Sequence, residues 1–175
     1  EVARLDAGSW KDPAFTGAVV PMFAQVLELL ARFPQMGLLL EFKGRWDPAP
    51  AGDLLSALAS TEVADRTIVQ SFDVETVRLL RELAPTLTSG LLVKVGDDEA
   101  LALCRQLGVQ VCNPSVRSVL KAPHTVAAIH ESGLRTFPWT ANESADWGRL
   151  REAGVDGIIT DRPDRLRGWL DAQPQ

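Results

Sequence analysis

Short apolar runs alternate with amphipathic stretches along most of the chain, and this alternation constrains the fold more than any other feature. Each run is short and lacks strict alternation of polar and apolar residues, which is typical of strands buried on both faces. The six runs cover residues 37–43, 66–72, 89–94, 109–113, 134–140 and 157–161. The sequence therefore predicts six strands of a parallel sheet.

The stretches between these runs have helical spacing. Residues 21–33 place Phe23, Val26, Leu27 and Leu30 on one face, three and four positions apart. Similar patterns cover residues 74–83, 99–107, 125–131 and 143–153.

Several residues predict where these helices begin and end. Asp73 and Asn142 are predicted N-caps, and Asp161 is predicted to cap a final helix. A left-handed glycine is expected to close a helix at Gly108, Gly133 and Gly154.

A strand followed by a helix, repeated every 20–30 residues or so, indicates βαβ units in a single α/β domain over residues 1–175. Two folds satisfy this pattern: an open doubly wound sheet and a closed eight-stranded barrel. No glycine-rich nucleotide-binding motif follows any strand, which disfavours the nucleotide-binding form of the open sheet. The pattern establishes α/β and favours the barrel.

Composition narrows the choice of ligand. The formal net charge is −5, whereas proteins that bind nucleic acid usually carry a basic patch, so we expect a small-molecule ligand. No apolar run approaches the roughly 20 residues that span a bilayer. Cys104 and Cys112 form no C-x-x-C pair and are predicted to be buried, reduced packing residues.

The most informative polar residues lie where the predicted strands end. Glu41 and Lys43 flank Phe42, so both point to the same side of the sheet. A carboxylate there could bind a hard divalent cation, and the lysine could bind a phosphoryl oxygen. The alternative is a salt bridge between the two that fixes the strand end.

Other strand ends carry weaker candidates. Ser71 could bind phosphate or start a turn, and Phe72 could line a pocket or pack. Lys94 could bind an anion or be solvated, and Asn113 before Pro114 indicates a turn. Trp139 could stack on a small polyol or belong to the core.

Histidine is scarce in this sequence. His124 and His130 are the only two, and both fall in or beside a helical stretch, where we expect surface or packing roles. A phosphodiester hydrolase normally needs a general acid and base near neutral pH, which histidine usually provides. No histidine follows a predicted strand.

Taken in order, these motifs resemble the glycerophosphodiester phosphodiesterase family. The matching segments are residues 5–10 (LDAGSW), 20–23, 40–43 (LEFK), 68–72 (IVQSF), 138–142 (PWTAN) and 154–163 (GVDGIITDRP). Together they cover nearly the whole chain.

The resemblance implies a TIM (β/α)₈-type barrel that hydrolyses glycerophosphodiesters to glycerol 3-phosphate and an alcohol, using Mg²⁺ or Ca²⁺. It implies that Glu41 is one metal ligand and Lys43 contacts the phosphate. Trp139 and Phe72 would then line the substrate site on the glycerol side.

The sequence departs from the family pattern in one respect. The H-R-G strand, a Glu-x-Asp metal pair and a second histidine in an H-D motif would all precede the LDAGSW segment, and the sequence contains none of them. The resemblance therefore covers six of the eight βα units, and no catalytic residue is assigned here. We expect residues 1–175 alone to be inactive, and to form oligomers or swapped dimers through their open strand edges.

Two other functions fit the same residues. One is a non-catalytic binding domain derived from the barrel. The other is a different barrel phosphodiesterase, such as one resembling phosphoinositide-specific phospholipase C. The expected partner is a small glycerophosphodiester, with neither nucleic acid nor stable membrane insertion. The compartment is open, with the cytoplasm favoured.

Overall fold

A computed structural model describes residues 2–173 of the chain. In chain order the regular elements are α1 (Phe23–Ala31), β1 (Leu38–Glu41), α2 (Pro48–Ala59), β2 (Thr67–Ser71), α3 (Val74–Leu83), β3 (Thr88–Val93), α4 (Asp98–Leu107), β4 (Val111–Pro114), α5 (Val116–Lys121), α6 (His124–Glu131), α7 (Ser144–Glu152) and α8 (Pro163–Asp171). Short 3₁₀ turns occur at Val2–Arg4, Pro13–Phe15 and Ala64–Arg66. Within residues 2–173, no helix is both long and apolar enough to cross a bilayer.

The described chain falls into two compact units. The first runs to Leu38 and resumes over Ala49–Thr67, and the second comprises Leu39–Pro48 and the chain from Ile68 onward. The second unit contains nearly all of the sheet, most of the helices and every predicted site residue.

The first unit begins with a loop organised by one carboxylate. Asp6 accepts hydrogen bonds from the backbone amides of Gly8, Ser9 and Gly17, at 2.9, 2.7 and 3.2 Å. These amide donors lower the pKa of Asp6 to about 2. The LDAGSW segment is therefore a loop whose aspartate fixes the backbone.

The helices of the first unit carry most of its buried apolar side chains, which include Leu27, Leu30, Leu55 and Leu58. Arg66 closes the carboxyl end of α1: its guanidinium donates to the Leu30 carbonyl at 2.8 Å and also to the carbonyls of Phe33 and Met36. Helix α2 was not predicted, although Asp47 followed by Pro48 has the composition of a helix start.

The sheet of the second unit has the strand order β1-β2-β3-β4. β2 pairs with β3, and β3 with β4, both in parallel; Gln70 lies opposite Gly90, and Gly90 opposite Val111. On one face, Leu91 and Cys112 pack with α3, α4 and α6 in the main hydrophobic core. Cys104 and Cys112 are buried and free, as predicted.

The segments predicted as the fifth and sixth strands continue this arrangement without forming regular strands. Arg135 and Trp139 make isolated parallel bridges to Val111 and Ser115. Further along, the amides of Asp156 and Ile159 donate to the carbonyls of Thr136 and Pro138. The described sheet is thus four-stranded and open, whereas six strands were predicted. The two remaining segments make only isolated backbone hydrogen bonds beside it.

The reason lies in residues 137–138. Pro138 has no amide hydrogen to donate to a ladder. The amide of Phe137 donates instead to the side chain of Asn113, at 2.7 Å. The backbone pairing is therefore interrupted between the two bridges.

The predicted helix ends are partly correct. Asp73 caps α3, its carboxylate accepting from the Thr76 amide at 2.8 Å, and that hydrogen bond lowers the pKa of Asp73. Gly108, Gly133 and Gly154 all have positive φ, as expected of helix ends. The caps predicted at Asn142 and Asp161 are wrong: Glu143 and Arg162 occupy those positions, and neither caps with its side chain.

Candidate active site

The carboxyl end of β1 presents Glu41 and Lys43 around a buried aromatic residue. Phe42 is 1% exposed and packs edge-to-face on Trp46, with ring centroids 4.9 Å apart. Trp46 Nε1 also donates to the Lys43 carbonyl at 3.2 Å. Phe42 and Trp46 thus anchor the backbone on which Glu41 and Lys43 stand.

The side chains of Glu41 and Lys43 are available for a ligand. Glu41 is half-buried and Lys43 is exposed. Across residues 2–173 neither side chain makes a hydrogen bond or an ion pair, so the salt bridge considered as an alternative does not form.

Ser71, at the end of β2, has a structural role. Its hydroxyl donates to the Phe42 carbonyl at 2.6 Å and accepts from the Asp73 amide at 3.1 Å. Because the hydroxyl is fully buried and bonded on both sides, it shapes the turn into α3 and is not free to bind phosphate.

Phe72 and Trp139 lie together, although 67 positions separate them in the sequence. Their rings meet edge-to-face with centroids 5.0 Å apart, and Phe72 is 43% exposed. The pair forms an aromatic corner that a small apolar group could contact. The Trp139 indole is fixed, because Nε1 donates to the Asn113 carbonyl at 2.8 Å.

Asn113 is the residue whose importance the sequence did not reveal. Its side chain is fully buried and donates to Gln70 Oε1 at 2.7 Å, while its own oxygen accepts from the Phe137 amide. With the carbonyl contact to Trp139, this one residue links β2, β4 and the segment that carries Trp139. The available signal was the presence of Gln70 and Asn113, two amide side chains in strands predicted to be buried on both faces.

Asn142 and Asp161 bond to each other rather than capping helices. Asn142 Nδ2 donates to Asp161 Oδ2 at 2.9 Å, and Asn142 Oδ1 accepts from the Asp161 amide at 2.9 Å. This reciprocal pair joins the segments that follow the fifth and sixth apolar runs. It fixes the loop immediately after Trp139.

Neither histidine contributes to this arrangement. His130 lies near the end of α6 and its Nε2 is 3.0 Å from Asp156 Oδ2, at the amino end of the last apolar run. Burial opposes ionisation of Asp156, but the His130 and Thr136 hydrogen bonds and the charges of His130 and Arg135 prevail and lower its pKa. His124 begins α6, on the helical layer.

The donors for a divalent cation are incomplete among the described residues. Carboxylate oxygen is the ligand type that Mg²⁺ and Ca²⁺ prefer, and Glu41 supplies one such group. Within residues 2–173, however, no three His, Cys, Asp or Glu side chains come close enough to hold a metal ion. Glu41 alone does not make a cation site.

The sequence matches known proteins over almost its entire length. The model of the Glycerophosphoryl diester phosphodiesterase family matches residues 1–165. The glycerophosphodiester phosphodiesterase of Caldanaerobacter subterraneus subsp. tengcongensis is 30% identical over 168 residues, which cover 95% of this chain and 68% of that protein. The chain therefore spans about two thirds of that relative.

Solved structures show the same fold. The glycerophosphodiester phosphodiesterase of Agrobacterium tumefaciens superposes with a TM-score of 0.79 at 23% identity, over 95% of this chain and 69% of that one. An Oleispira antarctica phosphodiesterase was solved with the product sn-glycerol-3-phosphate. It superposes with a TM-score of 0.81 at 20% identity, over 98% of this chain and 69% of that one.

These matches confirm the expected family, the barrel-type α/β fold and the phosphodiester hydrolase class. The chain belongs to the glycerophosphoryl diester phosphodiesterase family.

Proposed function

We propose that the protein hydrolyses glycerophosphodiesters to glycerol 3-phosphate and an alcohol with the help of a divalent cation, Mg²⁺ or Ca²⁺. The observation that carries the proposal is the end of β1, where neither Glu41 nor Lys43 has a side-chain partner in the described chain. The aromatic corner of Phe72 and Trp139 supports it.

Glu41 would be one oxygen ligand of the cation. When bound, such a cation supplies positive charge that polarises a phosphoryl oxygen. The described residues do not complete its coordination, and the Glu-x-Asp pair that the resemblance implies is absent from the sequence. We therefore assign Glu41 a share in binding and no separate chemical step.

Lys43 would bind the phosphate directly. An ammonium group donates hydrogen bonds to phosphoryl oxygens and offsets the negative charge that grows on them as the diester is attacked. Lys43 suits this role because it is exposed and its side chain is not committed to another group in the described chain.

Phe72 and Trp139 would contact the carbon face of the glycerol moiety. Trp139 is held by the Asn113 carbonyl, so its ring is already oriented before a ligand arrives. The described histidines lie elsewhere, so the proton transfers of the reaction are not assigned to residues of this chain.

The test is hydrolysis of glycerophosphocholine by the protein that carries this chain, measured in the presence of Mg²⁺ or Ca²⁺. Glu41→Gln should remove metal-dependent activity, because it takes away an anionic ligand while keeping the side-chain shape. Lys43→Ala should lower turnover by roughly 10²–10³-fold, the effect of losing one donor to a developing anion.

Two exposed residues provide matched controls. Glu62→Gln and Lys11→Ala make the same chemical changes at exposed residues that have no assigned role, and both should retain activity. Unchanged hydrolysis by both Glu41→Gln and Lys43→Ala would reject the proposed roles, and circular dichroism spectra would show that each variant is folded.

A further inference from the structure

A second binding site, separate from Glu41 and Lys43, is indicated by a cleft beyond the carboxyl ends of β3 and β4. The cleft has a volume of about 510 Å³. The loop leading into α4 forms one wall, and α5 with the start of α6 forms the other. Val95, Leu101 and Ala128 are apolar residues of its lining, and Val95 is exposed. Clefts of several hundred Å³ with apolar lining and a few polar groups are typical of small-molecule sites.

Positive charge is concentrated in this cleft. Lys94, Arg117 and Lys121 all line it and all are exposed. None of the three side chains has a hydrogen-bond or ion-pair partner within residues 2–173. This concentration is unusual in a chain whose formal net charge is −5.

Two carboxylates share the cleft without cancelling its charge. Asp97 and Asp98 line the same wall, but Asp97 is the N-cap of α4 and accepts from the Ala100 amide at 3.0 Å. Three cationic side chains, Lys94, Arg117 and Lys121, against the two carboxylates leave a positive excess. The local field therefore favours an anion over a cation.

The backbone that carries these groups is held in place. Ser115 Oγ donates to the Lys94 carbonyl at 2.6 Å, and the Gly96 amide donates to Ser118 Oγ at 3.1 Å. Gly96 also packs so closely that a Cβ atom there would lie 2.7 Å from Thr125 Cγ2. The two walls are therefore joined before any ligand binds, which reduces the entropy cost of binding.

We propose that this cleft binds the phosphate group of a small organic phosphomonoester. A phosphate dianion offers several acceptor oxygens to Lys94, Arg117 and Lys121, and guanidinium pairs well with that geometry. The apolar part of the lining, which includes Val95 and Ala128, would contact the organic part. The proposal does not depend on hydrolytic activity, because it uses none of the residues assigned to that reaction.

The experiment is titration calorimetry of the protein with phenyl phosphate and, separately, with inorganic phosphate. Phenyl phosphate should bind more tightly, because only it has an apolar group to contact the apolar part of the lining. Arg117→Ala and Lys94→Ala should each weaken phenyl phosphate binding by roughly tenfold, and Arg117→Lys should restore part of the loss. Added salt should weaken binding as well.

The titrations are repeated in the Lys43→Ala background, which removes the phosphate-binding lysine of the proposed active site, and Lys11→Ala is the control for removing a surface charge. Lys11→Ala should leave phenyl phosphate affinity unchanged, and Arg117→Ala should weaken it in the Lys43→Ala background as well. Loss of binding in Lys43→Ala with no loss in Arg117→Ala would overturn the proposal, as would equal affinity for the two probes or no heat of binding for either. Because the substituted side chains are exposed, the variants should remain folded.

Discussion

Replacing Asn113 with alanine should destabilise the protein more than any exposed polar substitution. The Asn113 side chain makes two hydrogen bonds of 2.7 Å, one to Gln70 Oε1 and one from the Phe137 amide. Asn113 is fully buried and Gln70 is 3% exposed, so water does not readily replace the lost partner.

The magnitude follows from the groups left behind. Alanine leaves the Gln70 oxygen and the Phe137 amide without partners, and each unsatisfied buried group costs about 1–3 kcal/mol. The expected loss in the free energy of unfolding is therefore about 2–6 kcal/mol, a large part of the stability of a typical domain.

Urea unfolding monitored by circular dichroism measures this loss, provided that the transition is two-state. Gln106→Ala is the matched control, because Gln106 is an exposed amide on α4 without a side-chain partner in the described chain. Its effect should stay within about 0.5 kcal/mol. If Asn113→Ala cost no more than Gln106→Ala, the buried network would not exist as described.

Two further perturbations test other parts of the structure. Because the folded-state pKa of Asp156 is lowered, its ionised form stabilises the fold above its unfolded pKa of about 3.9, and this contribution is lost as the pH falls through the folded pKa. Thermal unfolding should be measured at several pH values between neutral and acidic for the unsubstituted protein and for Asp156→Asn. The difference in their melting temperatures should shrink in that pH window. A difference that persists at low pH would contradict the stabilising role of the ionised Asp156. Gly157→Ala should lower the melting temperature, because a Cβ there would lie 2.6 Å from Phe137 Cδ1 and would force that ring to move; Gly168→Ala, where a Cβ meets nothing within 4 Å, is the control.

Local sequence patterns were sufficient for much of the fold. Buried strands in a parallel sheet read as short apolar runs, so β1 to β4 were found to within two residues. Helix α3 was predicted at its observed bounds, because its apolar spacing and the Asp73 cap both operate within one turn of the chain.

Long-range hydrogen bonds account for what the patterns missed. Asn142 and Asp161 have the composition of helix caps, yet each takes the other as partner across 19 positions. Pro138 and the Asn113 side chain interrupt the fifth strand. The interruption by Asn113 depends on β4, which carries that residue. No local pattern indicates which distant residue a polar side chain will meet.

Of the candidate site, too, the sequence predicted the residues but not the contacts between them. The period of two along a strand predicted that Glu41 and Lys43 share a side, and the resemblance suggested roles for Phe72 and Trp139. Neither indicated that the rings of Phe72 and Trp139 would touch, or that Asn113 would hold the indole. Those contacts depend on the order of strands in the sheet, which is a property of the whole fold.

The most direct test of the central claim is the identity of the product. Phosphorus NMR of glycerophosphocholine treated with the protein that carries this chain, first with a chelator and then with Mg²⁺ or Ca²⁺ restored, distinguishes the possible cleavages. The account predicts glycerol 3-phosphate, formed only when the cation is present. Phosphocholine as the product, or the same rate of glycerol 3-phosphate formation with and without the cation, would contradict it.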